Sequence, residues 1–469
     1  MVYEQGGHSK SYAKLNMSTM PPSASINDGD KWVGKNSAGA TIVGKIYKSA
    51  DTIGNNMIYL QYQTSDVQAD YMNCKVGGLP VDKIVTDGCF ANSGSIKKDG
   101  ETTEYSYSYS SDTDNENGRT IKGFSTSVEK KMISCANCPY KDAAMFKAYY
   151  GDSAYADKWV QAAISGTKTS FTSGKGNADF SEFDEAGRAQ CIKKGTAYMN
   201  VFMYVIREFE DALDDCKDSC IYCNDDPVHA WDEGVAFYSG TMEGEQGEGS
   251  GKLLHALADK RCGDYNTCVE DTSNSKVNME LFQLFNVGQG QLQTGKCADA
   301  RVTKDKIVDL MYIPLIQGTM RYAHKVDKLG LTGDKEKAEG AVFAAAVLPR
   351  IADANADAAN TIYENMKVGA TSTDFKAVRK AFESTYGKLN IQCNDVGGLV
   401  DGAGKYYEGA APCEDSSTKS SSTGATVGIV IGSVGGAVAV ASLGYIFFLR
   451  GREKQGKPVF APNSDERAI

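Results

Sequence analysis

The chain has 469 residues, enough for roughly two or three domains. Acidic residues outnumber basic residues by 60 to 50, so the formal net charge is −10. This balance argues against a nucleic acid as the partner, because phosphate backbones repel an acidic surface, and it suits cations or small polar ligands.

Residues 1–130 are predicted to form a strand-rich region. They are rich in Gly, Ser, Thr and Asp, and they contain short alternating runs, as at 57–62 and 103–109. Alternation with a period of two, bounded by turn-forming residues, is typical of short β-strands.

Residues 131–413 are predicted to form a helical domain. The clearest helix spans Ile192–Asp215, where residues at helical spacing form a buried stripe. The members of the stripe are Tyr198, Phe202, Val205, Phe209 and Ala212.

Further helices are predicted at 303–328, 338–366 and 373–386. We expect the first of these helices to be kinked or interrupted at Pro314 and Gly318, and we expect a break near Pro349 in the second, because proline removes a helical hydrogen bond. The predicted fold class is therefore α+β and mainly α.

A weak internal repeat runs through the helical region. An acidic residue, small or apolar residues and a Phe follow one another at Asp142–Phe146, Glu233–Phe237 and Glu339–Phe343, each at the start of a predicted helix. Duplicated helical units would explain the pattern. The alternative is that acidic residues favour the first turn of any helix.

Thirteen cysteines indicate an oxidising compartment, and their odd number leaves at least one without an intramolecular partner. Spacing suggests Cys74–Cys89, Cys262–Cys268 and Cys393–Cys413 as pairs, without fixing the connectivity. Two further groups could be redox or cluster-binding motifs, but we interpret them as part of the disulfide framework. They are Cys135 with Cys138, and Cys216 with Cys220 and Cys223.

A transmembrane helix is predicted at 425–449, where twenty-five residues carry no charge. This length is sufficient to cross a hydrocarbon core of roughly 30 Å. A Ser- and Thr-rich stalk at 414–424 precedes the segment. Within the segment, Gly428, Gly432 and Gly436 form a stripe of small residues that would permit a homodimer.

Lys and Arg are concentrated in the tail at 450–469, which places that tail in the cytosol and the rest of the chain outside. We therefore expect a single-pass protein of the plasma membrane, with endosomal vesicles as a second location. The first ten residues lack the apolar core of a signal peptide, so we expect the true start to lie further upstream. The alternative is that the orientation in the membrane is reversed.

One candidate metal site centres on His229, Asp232 and Glu233, which share one face of a predicted helix, with Tyr238 in the same segment. Imidazole, carboxylate and phenolate ligands suit iron. The alternative is that the carboxylates complement a helix start, although this gives no reason for His229.

A second candidate metal site lies on the helix at 192–215. An oxygen-rich stripe, which is alternatively a solvated face, is formed at helical spacing by Tyr204, Glu208, Asp211 and Asp215. Arg207 and Arg321 are candidate anion-binding residues, because a guanidinium group matches carbonate or carboxylate in a bidentate manner.

Seven runs of the sequence carry a family resemblance. They are DGCF from Asp87, NGRTIKGFST from Asn117, CANCPY from Cys135, YADKW from Tyr155, KKGTAYMNVFMYVIREFEDALDDC from Lys193, HAWDEGVAFYSG from His229 and GKLLHALADKRC from Gly251. These runs resemble the phytotransferrins, the algal iron-starvation-induced surface proteins, and the resemblance covers roughly residues 70–415.

The resemblance implies a cell-surface protein that captures Fe(III), with carbonate as the synergistic anion, for uptake by internalisation. It implies no enzymatic activity and no fixed ligand set, so the candidate ligands remain those named above. The alternatives are a structural or adhesive surface glycoprotein without metal binding, and a redox enzyme that uses Cys135 and Cys138 or the Cys216–Cys223 group.

Overall fold

The structure is a computed structural model. It describes residues 12–17, 31–36, 41–47, 57–61, 93–108, 121–217, 227–240 and 253–414. The described residues belong to one compact unit, Met1–Asp415, and the second unit, Ser416–Ile469, lies outside them.

The N-terminal part contains one antiparallel sheet. Its strands are β1 (Tyr12–Met17), β2 (Lys31–Asn36), β3 (Thr41–Tyr47), β4 (Met57–Gln61), β5 (Ser93–Lys98) and β6 (Tyr105–Ser108). The spatial order is β1-β4-β3-β2-β5-β6, and β1 also pairs with β6, with Asn16 opposite Ser108, so the sheet closes on itself. All six described strands lie within residues 1–130, where short strands were predicted.

The rest of the described chain is helical, and its first helix begins before the expected boundary at 131. The α-helices are α1 (Ile121–Thr126), α2 (Lys141–Tyr150), α3 (Tyr155–Ser165), α4 (Glu185–Gly195), α5 (Phe202–Lys217), α6 (Pro227–Ser239), α7 (Leu254–Tyr265), α8 (Lys276–Gln293), α9 (Cys297–Met311), α10 (Ile313–Asp327), α11 (Asp334–Ala354), α12 (Ala356–Met366), α13 (Phe375–Glu383), α14 (Tyr386–Leu389) and α15 (Cys393–Val396). The prediction of a mainly helical chain is confirmed.

The helix predicted at Ile192–Asp215 is present, with a π-helical turn at Thr196–Val201 between α4 and α5. The predicted stripe lies in the core. The indole of Trp159 packs on Gly195 so closely that a Cβ there would lie 2.9 Å from a ring carbon. The missing side chain therefore lets α3 pack against the start of the π turn.

The predicted interruptions are partly correct. Helix α9 ends at Met311, and Pro314 lies in the first turn of α10, where its missing N–H leaves no helical bond broken. Gly318 does not interrupt its helix, because this residue lies inside α10 against the ring of Phe343, where a Cβ would approach to 2.9 Å.

Pro349 also lies inside a helix, and the break comes later, at Asn355. The side chain of Asn355 caps α12 by accepting hydrogen bonds from the backbone N–H groups of Asp357 and Ala358. Helix α11 is buried over most of its length and packs against α2, α4, α10 and α12, so it forms the centre of the helical core.

The three copies of the weak repeat take different positions in their helices. Asp142 lies in the first turn of α2, whereas Glu233 lies in the middle of α6, which begins at Pro227. Glu339 lies beyond the first turn of α11. The expectation that each copy begins a helix therefore holds only for the first copy.

Four disulfides join the described cysteines. They are Cys135–Cys138, Cys216–Cys297, Cys262–Cys268 and Cys393–Cys413, and two of these pairs were suggested by spacing. Cys191 is buried and free. The pairing of Cys216 is incompatible with a role as a cluster-binding thiolate, while Cys74, Cys89, Cys220 and Cys223 lie outside the described residues.

The last described segment, residues 397–413, forms what we call the C-terminal clasp. Its backbone N–H groups at Gly398 and Val400 donate to the carbonyls of Tyr265 and Asp264 at 3.2 and 2.9 Å. Arg379 donates to the carbonyls of two further clasp residues, Gly409 and Ala411. The Cys393–Cys413 disulfide closes the clasp covalently.

Among the helices that the structure describes, none combines the length and apolar character needed to cross a bilayer. The predicted membrane span at 425–449, its three glycines and the tail at 450–469 lie outside the described residues, as does the stalk beyond Glu414.

Candidate functional site

The phenol ring of Tyr204 lies in an aromatic setting at the start of α5. It stacks on Phe124 with 4.0 Å between ring centroids, and it meets Phe237 edge-on at 5.2 Å. Tyr204 is buried, and its pKa is raised by burial and by the negative charge of Glu208. The ring is therefore held in place, and its hydroxyl is protonated at neutral pH.

Arg207 lies between two carboxylates of the same helix. Its Nη1 is 2.5 Å from Glu208 Oε2, and its Nη2 is 2.9 Å from Asp211 Oδ2. The guanidinium carbon is 5.8 Å from the centroid of the Tyr204 ring. The predicted stripe is therefore a set of interacting groups rather than a solvated face.

Glu208 is the most deeply buried carboxylate of this set, with a relative exposure of 1%. Burial raises its pKa, opposed by the charge of Arg207 and reinforced by the charges of Glu233 and Asp211. Its Oε1 is buried without a hydrogen-bond partner, as is Nε of Arg207. A buried polar atom without a hydrogen-bond partner destabilises the folded state unless a bound ligand or ion interacts with it.

Glu233 comes from the neighbouring helix α6. Its Oε1 lies 3.5 Å from Nε2 of His229, and both side chains are exposed. Asp232 accepts a hydrogen bond from Gln289 at 3.3 Å. The structure therefore brings His229 and Glu233 together at the surface, while Asp232 is engaged by α8. We refer to Tyr204, Arg207, Glu208, Asp211 and Glu233 as the α5 site.

Tyr238 points into the core rather than toward His229. It is fully buried, and its hydroxyl donates to Asn278 Oδ1 at 2.5 Å. Burial and the nearby charge of Asp259 raise its pKa. In this conformation Tyr238 therefore does not belong to the α5 site, although it lies in the same predicted segment.

The sequence prediction missed a second phenol–carboxylate pair beside the α5 site. The hydroxyl of Tyr140 donates to Asp214 Oδ2 at 2.8 Å, and the pKa of Tyr140 is raised by burial and by Asp214, with a smaller contribution from Asp211. Lys131 lies 5.8 Å from the centroid of the Tyr204 ring. No local pattern could have indicated Tyr140, since 74 residues separate it from Asp214.

Arg321 belongs to a different group of residues. It lies in α10, and its Nε is 3.0 Å from Oδ1 of Asp264 in α7. Its guanidinium carbon is 5.5 Å from the centroid of the Tyr322 ring. The structure therefore does not unite the two candidate anion-binding arginines.

In the part of the chain that the structure describes, no three His, Cys, Asp or Glu side chains are grouped so that they could hold a metal ion. At the α5 site the single guanidinium of Arg207 pairs with the carboxylates of both Glu208 and Asp211. Metal binding there therefore requires tyrosine and an external anion as further oxygen donors.

Comparisons of the chain with known protein families, with curated proteins and with solved structures find no match.

Proposed function

We propose that the protein captures Fe(III) at the cell surface, with carbonate as the synergistic anion, for uptake by internalisation, and that it is not an enzyme. The observation that carries the proposal is the buried Glu208, whose carboxylate interacts with both the phenol of Tyr204 and the guanidinium of Arg207.

Fe(III) is a hard cation that prefers anionic oxygen ligands, which phenolate and carboxylate groups supply. A bound cation reverses the local effect on pKa, because its charge outweighs the desolvation that keeps a phenol protonated. We therefore expect iron to displace the proton of Tyr204 and to coordinate its oxygen together with Glu208 and Asp211.

Arg207 connects iron binding to carbonate binding in this proposal. In the iron-free protein both terminal nitrogens of the guanidinium contact carboxylates. When iron coordinates those carboxylates, the guanidinium of Arg207 loses its ion pairs with them. Its planar fork then matches the two oxygens of carbonate, which fills the coordination that protein side chains leave open.

The groups on α6 complete the proposed site. Glu233 contributes negative charge near both Glu208 and Tyr204. His229 is an exposed neighbour of Glu233. Exposed side chains change rotamer at little cost, so these two residues are candidates to close over bound iron.

The test is a titration of the purified full-length protein with chelated Fe(III), with and without bicarbonate. We expect a visible tyrosinate-to-iron band that requires bicarbonate and that disappears in Tyr204→Phe. Tyr238→Phe is the matched control, because it also removes one phenol of the same segment but one that the structure places in the core. Retention of the full band in Tyr204→Phe, or equal binding without bicarbonate, would contradict the proposal.

The alternative is a structural or adhesive surface protein, which the pairing of Arg207 with both carboxylates favours. A ligand at 100 times its dissociation constant stabilises a protein by about 2.7 kcal/mol. A thermal unfolding curve that does not change with Fe(III) and bicarbonate would therefore support the alternative.

A further inference from the structure

One of the four described disulfides differs from the others in its exposure. Cys135 and Cys138 are both partly exposed, whereas each of the other three pairs contains a buried cysteine. The buried members are Cys216, Cys262 and Cys393. Among the described disulfides, the Cys135–Cys138 bond is therefore the one that a reductant in solution approaches most easily.

The Cys135–Cys138 bond also closes the shortest loop among the described disulfides. Its cysteines are 3 residues apart in the sequence, compared with 6, 20 and 81 residues in the other three pairs. The stabilisation that a disulfide provides by restricting the unfolded chain falls as its loop becomes shorter. Breaking this bond therefore costs the fold less than breaking any of the other three.

The chain on either side of the pair is held by contacts that do not involve the disulfide. The backbone N–H of Tyr140 donates to the carbonyl of Met132 at 2.9 Å, and both side chains are buried. We call residues 133–139, between these two anchors, the CxxC loop. Its exposed members are Ser134, Ala136, Asn137 and Pro139. The loop can therefore open at its tip while its base stays packed against the helical core.

The CxxC loop lies beside the α5 site. On one side of the loop, Lys131 contacts the ring of Tyr204 at 5.8 Å from its centroid. On the other side, the hydroxyl of Tyr140 donates to Asp214 of α5 at 2.8 Å. A chemical change at the loop therefore occurs next to the groups that surround Tyr204.

We propose that Cys135 and Cys138 form a site of reversible, stoichiometric thiol–disulfide exchange with a dithiol reductant. One thiolate of the reductant attacks one sulfur of the pair, which breaks the Cys135–Cys138 bond and forms a mixed disulfide. The second thiolate of the reductant then displaces the protein sulfur. Two electrons and two protons pass to Cys135 and Cys138, which become thiols, and the reductant becomes a disulfide. This inference does not rest on the iron-binding proposal, because it is tested on the iron-free protein.

The first test treats the purified full-length protein with dithiothreitol for increasing times, labels thiols with N-ethylmaleimide and maps the labelled peptides by mass spectrometry. We expect Cys135 and Cys138 to become labelled at least about tenfold faster than Cys262 and Cys268, because exchange depends on access to the sulfurs. The buried free thiol of Cys191 is the internal control, since it reacts only when the helical core opens. Oxidised glutathione should restore the bond after dithiothreitol is removed.

Equal labelling rates for the two pairs would overturn the proposal. Labelling of Cys135 and Cys138 only in step with Cys191 would also overturn it, because reduction would then require unfolding of the core.

Hydrogen exchange separates an exchange site from a structural crosslink. On reduction of the wild type, we expect faster exchange within the CxxC loop and unchanged exchange in α2 and α5, because the anchors at Met132 and Tyr140 remain. The double variant Cys135→Ser with Cys138→Ser should show the same pattern without reductant. The matched control, Cys262→Ser with Cys268→Ser, should leave the CxxC loop unchanged. Faster exchange throughout α2 or α5 would show that the disulfide holds the fold together, which contradicts the proposal.

Discussion

At the scale of single residues, one tyrosine explains how a proline is tolerated inside α11. Pro349 has no backbone N–H, so the carbonyl four residues earlier, at Ala345, loses its helical partner. The hydroxyl of Tyr150 donates to this carbonyl at 2.7 Å. A side chain of α2 therefore replaces a hydrogen bond that the backbone of α11 cannot form.

We predict that Tyr150→Phe lowers the free energy of unfolding by about 1–3 kcal/mol, because it leaves the Ala345 carbonyl buried and unpaired. Pro349→Ala restores the missing N–H, so the same Tyr150→Phe change should cost less in that background. Urea unfolding of the wild type, both single variants and the double variant gives the coupling. Equal costs in the two backgrounds would show that Tyr150 does not compensate for the proline.

The candidate site was predictable only where its members share one helix. Helical spacing placed Tyr204, Glu208 and Asp211 on one face of the predicted helix, and the structure joins the last two through Arg207. Spacing also grouped Tyr238 with His229. It could not show that Tyr238 hydrogen-bonds in the core with Asn278 of α8, because that contact depends on helix packing rather than on local sequence.

At the scale of elements, α5 is tied to α9 by both charges and a covalent bond. Glu210 of α5 lies 2.7 Å from Arg301 Nη1 and 2.7 Å from Lys304 Nζ. The Cys216–Cys297 disulfide links the end of α5 to the start of α9 across 81 residues. These links hold α5, and hence the α5 site, against the core.

We predict that the Cys216–Cys297 disulfide, which closes a long loop, stabilises the fold more than the Cys262–Cys268 disulfide, which closes a short one. Chain-entropy arguments give about 4 kcal/mol for a loop of the Cys216–Cys297 length and about 2 kcal/mol for the loop between Cys262 and Cys268. Replacing both cysteines of each pair by Ala, followed by guanidinium unfolding, measures the difference. An equal loss in both variants would mean that residual structure or strain outweighs loop length.

Secondary structure was largely predictable from periodicity, whereas helix ends depended on tertiary packing. The alternating runs became β4 and β6, and the apolar stripe of the 192–215 helix became buried. Gly318 did not break its helix. The ring of Phe343 lies where a Cβ at this position would be, and this packing explains why the residue is a glycine. The Cys216–Cys297 pairing was equally beyond prediction, since sequence spacing does not fix connectivity.

At the scale of the whole molecule, the proposed function predicts that iron is released on acidification. Because burial raises the pKa of Glu208 in the iron-free protein, a proton competes with iron at a higher pH than at an ordinary carboxylate. Protonation of carbonate acts in the same direction. We therefore expect the iron–tyrosinate band to persist at pH 7.4 and to be lost by about pH 5.

The raised pKa of Glu208 also determines whether the protein without iron gains or loses stability as the pH changes. The folded state binds the Glu208 proton more tightly than the unfolded state does, so this contribution is full at low pH and is lost as pH rises through the folded pKa. Circular dichroism recorded during the acid titration serves as the control. Loss of the band together with loss of helical signal would indicate unfolding rather than release.

The C-terminal clasp determines how the compact unit would respond to a pulling force. Tension applied to the chain beyond Glu414 reaches Cys413 first, and the disulfide passes it directly to Cys393. The intervening segment, with its hydrogen bonds to Arg379 and to the end of α7, carries little of the load. Unravelling from this end must therefore begin on the N-terminal side of Cys393, toward α14, while the loop from Cys393 to Cys413 stays closed for as long as its disulfide is intact.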